Sequence, residues 1–180
     1  MANDMNPTPE VFTMNLTHNQ IEDRLRLLLS NDEHSLESWL TRALTQRLLK
    51  SLINLLVRQS DVDSDNPQAR EAATIMEHLA ITQRQHQTSG STPTSIPSPQ
   101  QKGLLTRIDI EYGNGQYQLN FFVGETCIAH MPTGRAGLHR IIDLIERVSE
   151  QANWQLVTAE LGWLSRKETA LADIPVAGHC

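Results

Sequence analysis

Aromatic side chains make up only 4% of the chain, and it has just two cysteines. So little cysteine excludes a disulfide-built scaffold, and Cys127 and Cys180 are expected as reduced thiols in a cytoplasmic protein. The opening residues, MANDMNPTPE, lack the basic and apolar regions of a secretory signal, which favours the same compartment. No window approaches the roughly 18 consecutive apolar residues of a membrane-spanning helix. Positive charge is also short, with 15 Lys and Arg against 21 Asp and Glu and a formal net charge of −6. That balance argues against nucleic acid as the partner, because such affinity rests on neutralising phosphates.

What remains is a polypeptide 39% apolar and 20% charged, the composition of a globular protein diluted by polar connections. Most of its aromatic residues lie in the second half: Tyr112, Tyr117, Phe121, Phe122, Trp154 and Trp163. The better-specified core is expected there. Between the halves, residues 87–102 are rich in Ser, Thr, Gln and Pro. A segment of this kind buries too little apolar surface to offset its ordering entropy and reads as a flexible linker.

Residues 1–86 read as a helical N-terminal region of three helices. Thr17 and Gln20 have the spacing of a capping box ahead of Ile21, Leu25 and Leu28. Ser35 is placed to cap a longer helix whose Leu36, Leu40, Leu44, Leu48, Leu52 and Leu56 recur every four residues. Asn66-Pro67 marks the start of a third helix. Residues 103–165 read as a βββαβ domain. Ile108, Ile110 and Tyr112 alternate with polar residues, as do Tyr117, Leu119 and Phe121, and Asn114-Gly115 between them is a hairpin signal. A third strand runs through Cys127, and a helix follows with Leu138, Ile141, Ile142, Ile145 and Val148 on one face. A last strand is expected over Val157, Ala159, Leu161 and Trp163, ahead of a C-terminal tail at 166–180. The expected class is therefore α+β, a three-helix N-terminal segment joined to a small domain with an antiparallel meander. One internal echo stands out: Met14, Thr17 and Trp39 frame an apolar stretch as Met131, Thr133 and Trp154 frame another.

Candidate chemistry is sparse. Cys127, His130 and His139 bring a thiol near imidazoles, the ingredients of an activated nucleophile or a metal ligand set. On a regular strand, however, residues three apart face opposite ways, so Cys127 and His130 meet only if a bulge intervenes. The spacing also lacks the paired grammar of structural zinc sites, so neither a metal nor a cofactor is expected. Gly113-Asn114-Gly115 sits between two strands without the following helix that a phosphate cradle needs. Helix 36–59 sets a Leu stripe and Trp39 against a basic face of Arg42, Arg47, Lys50 and Arg58, an arrangement suited to a partner groove or a membrane surface. Phe122 falls on the strand face opposite Phe121, where a large aromatic suggests a covering element, an isolated exposed Phe being the alternative.

Taken together these features point to a non-enzymatic adaptor or chaperone-like interaction protein that binds another protein or a second copy of itself. Trp39, Leu44, Leu48 and Phe122 are the expected contact residues. In its small size, acidic balance and helix-then-βββαβ order the chain is similar to secretion-chaperone architectures, a likeness of layout that no residue motif carries. Two alternatives follow from the same residues. One is a small metal- or thiol-dependent enzyme using Cys127, His130 and His139. The other is a peripheral membrane or nucleic-acid binder using the basic helix.

Overall fold

In a computed structural model of the protein, the described residues are 12–60, 65–88 and 98–156. They form β1 (Thr13–Asn19), β2 (Arg24–Ser30), β3 (Ser35–Leu40), α1 (Arg42–Arg58), α2 (Pro67–Thr88), β4 (Gln100–Leu104), β5 (Arg107–Gly113), β6 (Gln116–Val123), β7 (Thr126–Thr133) and α3 (Arg135–Gln151). One sheet has the order β1-β2-β3-β4, with β4 parallel to β3 and the other pairs antiparallel. The second is the antiparallel meander β5-β6-β7.

The class is α+β, but the expected N-terminal helical segment is overturned, because three strands precede α1 and α2. The first expected helix is a hairpin. Asn19 Oδ1 accepts from the backbone N–H groups of Ile21 and Glu22, and Asp23, at φ 47°, completes the turn into β2. Within β2, Leu25, Leu27 and Leu29 are buried while Arg24, Arg26 and Leu28 take the other face. The extra apolar Leu28 hid this alternation. Ser35 opens β3 and caps nothing, and Thr41 caps α1 instead, its hydroxyl accepting from Leu44 N–H at 3.2 Å. A leucine every fourth residue fits both structures, since four is two strand repeats as well as about one helical turn. Leu36 and Leu40 therefore belong to a strand and Leu44 onward to a helix. Trp39 lies on β3, and the helix-first order behind the likeness to secretion chaperones is absent.

β3 is held by a buried carboxylate. Glu37, 3% exposed, accepts from Arg26 Nε on β2 at 2.6 Å and from Gln101 Nε2 on β4 at 2.6 Å, locking three strands together. Residues 100–102, at the end of the expected linker, are thus part of the first sheet. The meander follows the sequence reading. Asn114 and Gly115 have φ of 53° and 76°, as a type I′ hairpin requires, and the meander leads into α3, whose N-cap is Gly134 and not the neighbouring Thr133. The expected strand through Val157, Ala159, Leu161 and Trp163 and the tail at 166–180 lie outside the described residues, as do 1–11 and 89–97.

The structure contains a βββα order twice, β1-β2-β3-α1 and β5-β6-β7-α3. Both helices have 17 residues and begin Arg-Ala. In the same register Leu48, Leu49 and Leu52 of α1 match Ile141, Ile142 and Ile145 of α3, all buried. The echo read in the sequence does not map onto this repeat: Met14 lies on β1, the first strand of its unit, and Met131 on β7, the third strand of the other. The helices run antiparallel, and each first residue reaches the far end of the other helix. Arg135 Nη1 donates to the carbonyls of Leu56 and Gln59 at 3.1 and 3.0 Å, and Arg42 Nη2 donates to the carbonyl of Gln155 at 3.0 Å. Each cation thereby meets the negative end of a helix dipole. α2 packs against both helices, and a hydrophobic core joins residues of both units, from Leu25 and Leu52 to Phe121 and Ile142.

The two caps differ in burial, which predicts unequal costs. Arg135→Met removes the Arg donor of the partly exposed Glu77 carboxylate and of two carbonyls and is expected to cost about 2 kcal/mol. Arg42→Met, at an exposed position, should cost below about 1 kcal/mol. Urea denaturation of both variants checks the ranking.

A candidate docking groove between helix 1 and an edge strand

The twofold layout singles out one surface. α3 packs against β1, the first strand of the other unit, where the rings of Trp154 and His18 lie 5.7 Å apart in an edge-to-face pair. Trp154 is brought there by the end of α3. Asn153 takes a left-handed conformation at φ 53°, Trp154 N–H donates to Ser149 O at 2.8 Å, and Trp154 Nε1 donates to Asp23 at 2.6 Å. This bond, with a second from His18, holds the Asp23 carboxyl below its usual range.

The matching pair on the other side is α1 and β5, and it is not packed in this way. Instead a cavity of about 580 Å³ lies between Ser51, Asn54, Leu55 and Arg58 of α1 and Ile108, Asp109 and Ile110 of β5. A smaller space of about 140 Å³ continues it past Leu44, Arg47 and Leu48 toward Thr106 and Arg107. Among the described residues β5 is an edge of its sheet, paired only with β6, so alternate backbone N–H and C=O groups along it lack a strand partner there. Its apolar lining is Leu55, Ile108 and Ile110, beside the polar Ser51, Asn54 and Asp109. The rim is basic: among the described residues nothing pairs with Arg47 or Arg58, while Arg107 bonds Asp109 at 3.1 Å and stacks over the Phe122 ring at 4.0 Å.

The residues singled out from sequence are therefore partly gathered. Leu44 and Leu48, though largely buried, form the floor, with Arg47 and Arg58 at the rim and Phe122 beneath Arg107. Trp39 stands apart on the outer face of the first sheet, and Arg42 is occupied at the end of α3. Lys50 is exposed on α1 outside the groove lining. Sequence reasoning missed the second wall. Ile108 and Ile110 alternate as core residues do, and nothing in their pattern says that a helix stands off from the strand.

The proposed trio of Cys127, His130 and His139 does not assemble. His139 is buried between α2 and α3, its Nδ1 3.3 Å from Nδ1 of His78 and its Nε2 3.3 Å from Glu77. Arg135 Nε lies 2.9 Å from both Glu77 oxygens, and Tyr117 donates to Gln59 Oε1 at 2.6 Å beside it. Burial, with some help from His78, lowers His139 to about 4, against the pull of Glu77. Burial also pushes Glu77 up, but the bond from Arg135 and the nearby His139 hold it below its usual range. Sequence offers no signal for this cluster, whose members come from three separate segments. Among the described residues no group of three or more His, Cys, Asp and Glu is placed to hold a metal, and no helix is long and apolar enough to cross a membrane.

No family model, curated protein or solved structure matches the chain.

The buried imidazole makes stability depend on acid. Between pH 6.5 and about 4 the unfolded chain protonates His139 and the folded one does not, so stability falls as pH drops through that window. The expected loss is on the order of 3 kcal/mol. Glu77 adds a further loss only below its ordinary value of 4.5. Chemical denaturation at pH 7 and pH 5 should show a clear decrease for the parent chain, and His139→Gln should flatten it.

Proposed function

We propose that this is a non-enzymatic protein-binding module of the cytoplasm, which takes up an extended segment of a partner protein between α1 and β5. The observation that carries the reading is the contrast between two equivalent seams. α3 is packed on β1, whereas among the described residues the space between α1 and β5 is open, lined in part by Leu55, Ile108 and Ile110 and flanked by a strand edge. A segment laid along β5 would satisfy its backbone groups and place alternate side chains on Leu55, Ile108 and Ile110. Arg47 and Arg58 favour carboxylates on that segment, which fits an acidic partner better than a basic one.

The test uses a fluorescein-labelled ten-residue peptide of alternating Val and Glu, read by anisotropy against the full chain. Saturable binding is expected. It should weaken roughly tenfold in an Arg47→Glu, Arg58→Glu variant, the sum of two rim charges reversed, and disappear when Ser51→Trp fills the cavity. Equal binding of a Val-Lys peptide, or displacement of the peptide by anionic vesicles, would overturn the reading in favour of a nonspecific or lipid surface.

A further inference from the structure

The outer face of the meander carries a second set of groups, independent of the groove reading. β7 has a bulge opposite Phe121 and Phe122: Phe121 pairs with Ala129 and Phe122 with Cys127, so Ile128 is the extra residue. The bulge cancels the alternation that would put Cys127 and His130 on opposite faces. Both therefore stand on the outer face, with the sulfur 3.7 Å from His130 Nε2 and 3.8 Å from Nδ1.

The neighbours of His130 fix its protonation pattern. Asn120 Nδ2 donates to Glu111 Oε1 at 2.9 Å, and because a carboxylate only accepts, the amide cannot be turned the other way. Its Oδ1 then faces Gln118 Nε2 at 2.9 Å and His130 Nδ1 at 2.8 Å, and Nδ1 must carry the proton it donates. In the neutral ring this leaves the lone pair on Nε2, the nitrogen nearer the sulfur. Asn120 is 5% exposed, so this orientation is set inside the sheet face, whereas His130 is exposed and Cys127 half-buried. The other acceptor near the thiol is the Ala129 carbonyl at 3.5 Å.

We propose that Cys127 is a thiol–disulfide exchange site for low-molecular-weight disulfides, with His130 as its base and Asn120 and Glu111 as positioning residues. In the step, His130 Nε2 takes the thiol proton as the Cys127 sulfur attacks one sulfur of the disulfide. The S–S bond of the reagent breaks and a Cys127 mixed disulfide forms. The leaving sulfur departs as a thiolate and recovers the proton from the imidazolium. Cys127 is oxidised and the departing sulfur reduced, so no further reductant or oxidant is required. The chemistry stops at this covalent modification.

The experiment uses the full chain carrying Cys180→Ser and follows release of thiopyridone from 4,4′-dithiodipyridine between pH 6 and 10. Cys127→Ser should abolish release. His130→Gln should slow the reaction about tenfold at pH 7 and leave it nearly unchanged at pH 10, where hydroxide from the solvent replaces the base. Glu111→Ala frees the Asn120 amide to turn and should produce a smaller slowing confined to the same low-pH limb. Equal pH 7 rates for the parent and His130→Gln would overturn the proposal, as would a uniform slowing at every pH, which signals altered access and not a lost base. Should His130→Gln fail to fold, the Glu111→Ala profile decides, and its coincidence with the parent at all pH values counts against the assignment.

Discussion

The guanidinium of Arg135 ties together segments that the chain brings from far apart. Its Nη1 donates to the last carbonyls of α1, and its Nε holds Glu77 of α2, while its own backbone starts α3. Arg135 and Glu77 are only partly buried, so removing one partner leaves the other partly desolvated and uncompensated. Leu56 and Gln59 mark where α1 stops, Glu77 fixes the rotation of α2, and Tyr117 is drawn in through Gln59. The placement of α1 relative to the second sheet, and with it the width of the groove, follows from this tie.

Although Arg42 and Arg135 are arranged reciprocally, the two βββα units differ at their seams. Related elements with matched helices form one seam closed by Trp154 and Asp23 and another left open between α1 and β5. The helical registers are nearly the same, so the difference arises from the residues that follow each helix. On one side Asn153 turns the chain back so that an aromatic ring reaches β1.

Much of the second half was legible in its sequence, because strict alternation and an Asn-Gly turn admit one reading. The first half misled for an identifiable reason. Leu36 and Leu40 fit a strand and a helix equally, Leu28 masks the alternation of Leu25, Leu27 and Leu29, and the tie from Arg26 through Glu37 to Gln101 spans three strands no local window contains. The groove was half legible: Leu44, Leu48, Arg47 and Arg58 stood out as a helix face, but β5 as the facing wall is a tertiary fact. Asn120 alternates with the core residues Leu119 and Phe121 and so falls on the outer strand face, yet it is buried there among polar side chains. The bulge that unites Cys127 with His130 left no mark in the pattern.

The parallel pairing of β4 with β3 sets an order of events during synthesis. β1, β2 and β3 leave the ribosome first, but the strand that covers the free edge of β3 begins about 60 residues after β3 ends. At roughly 5–20 residues per second, that edge waits for several seconds before Gln100 appears. Should β2 and β3 pair in that interval, Glu37 would hold Arg26 without Gln101, and a charged pair on an otherwise open strand is a poor template for another nascent chain. The same carboxylate that later locks the finished sheet thus also guards it while it is incomplete.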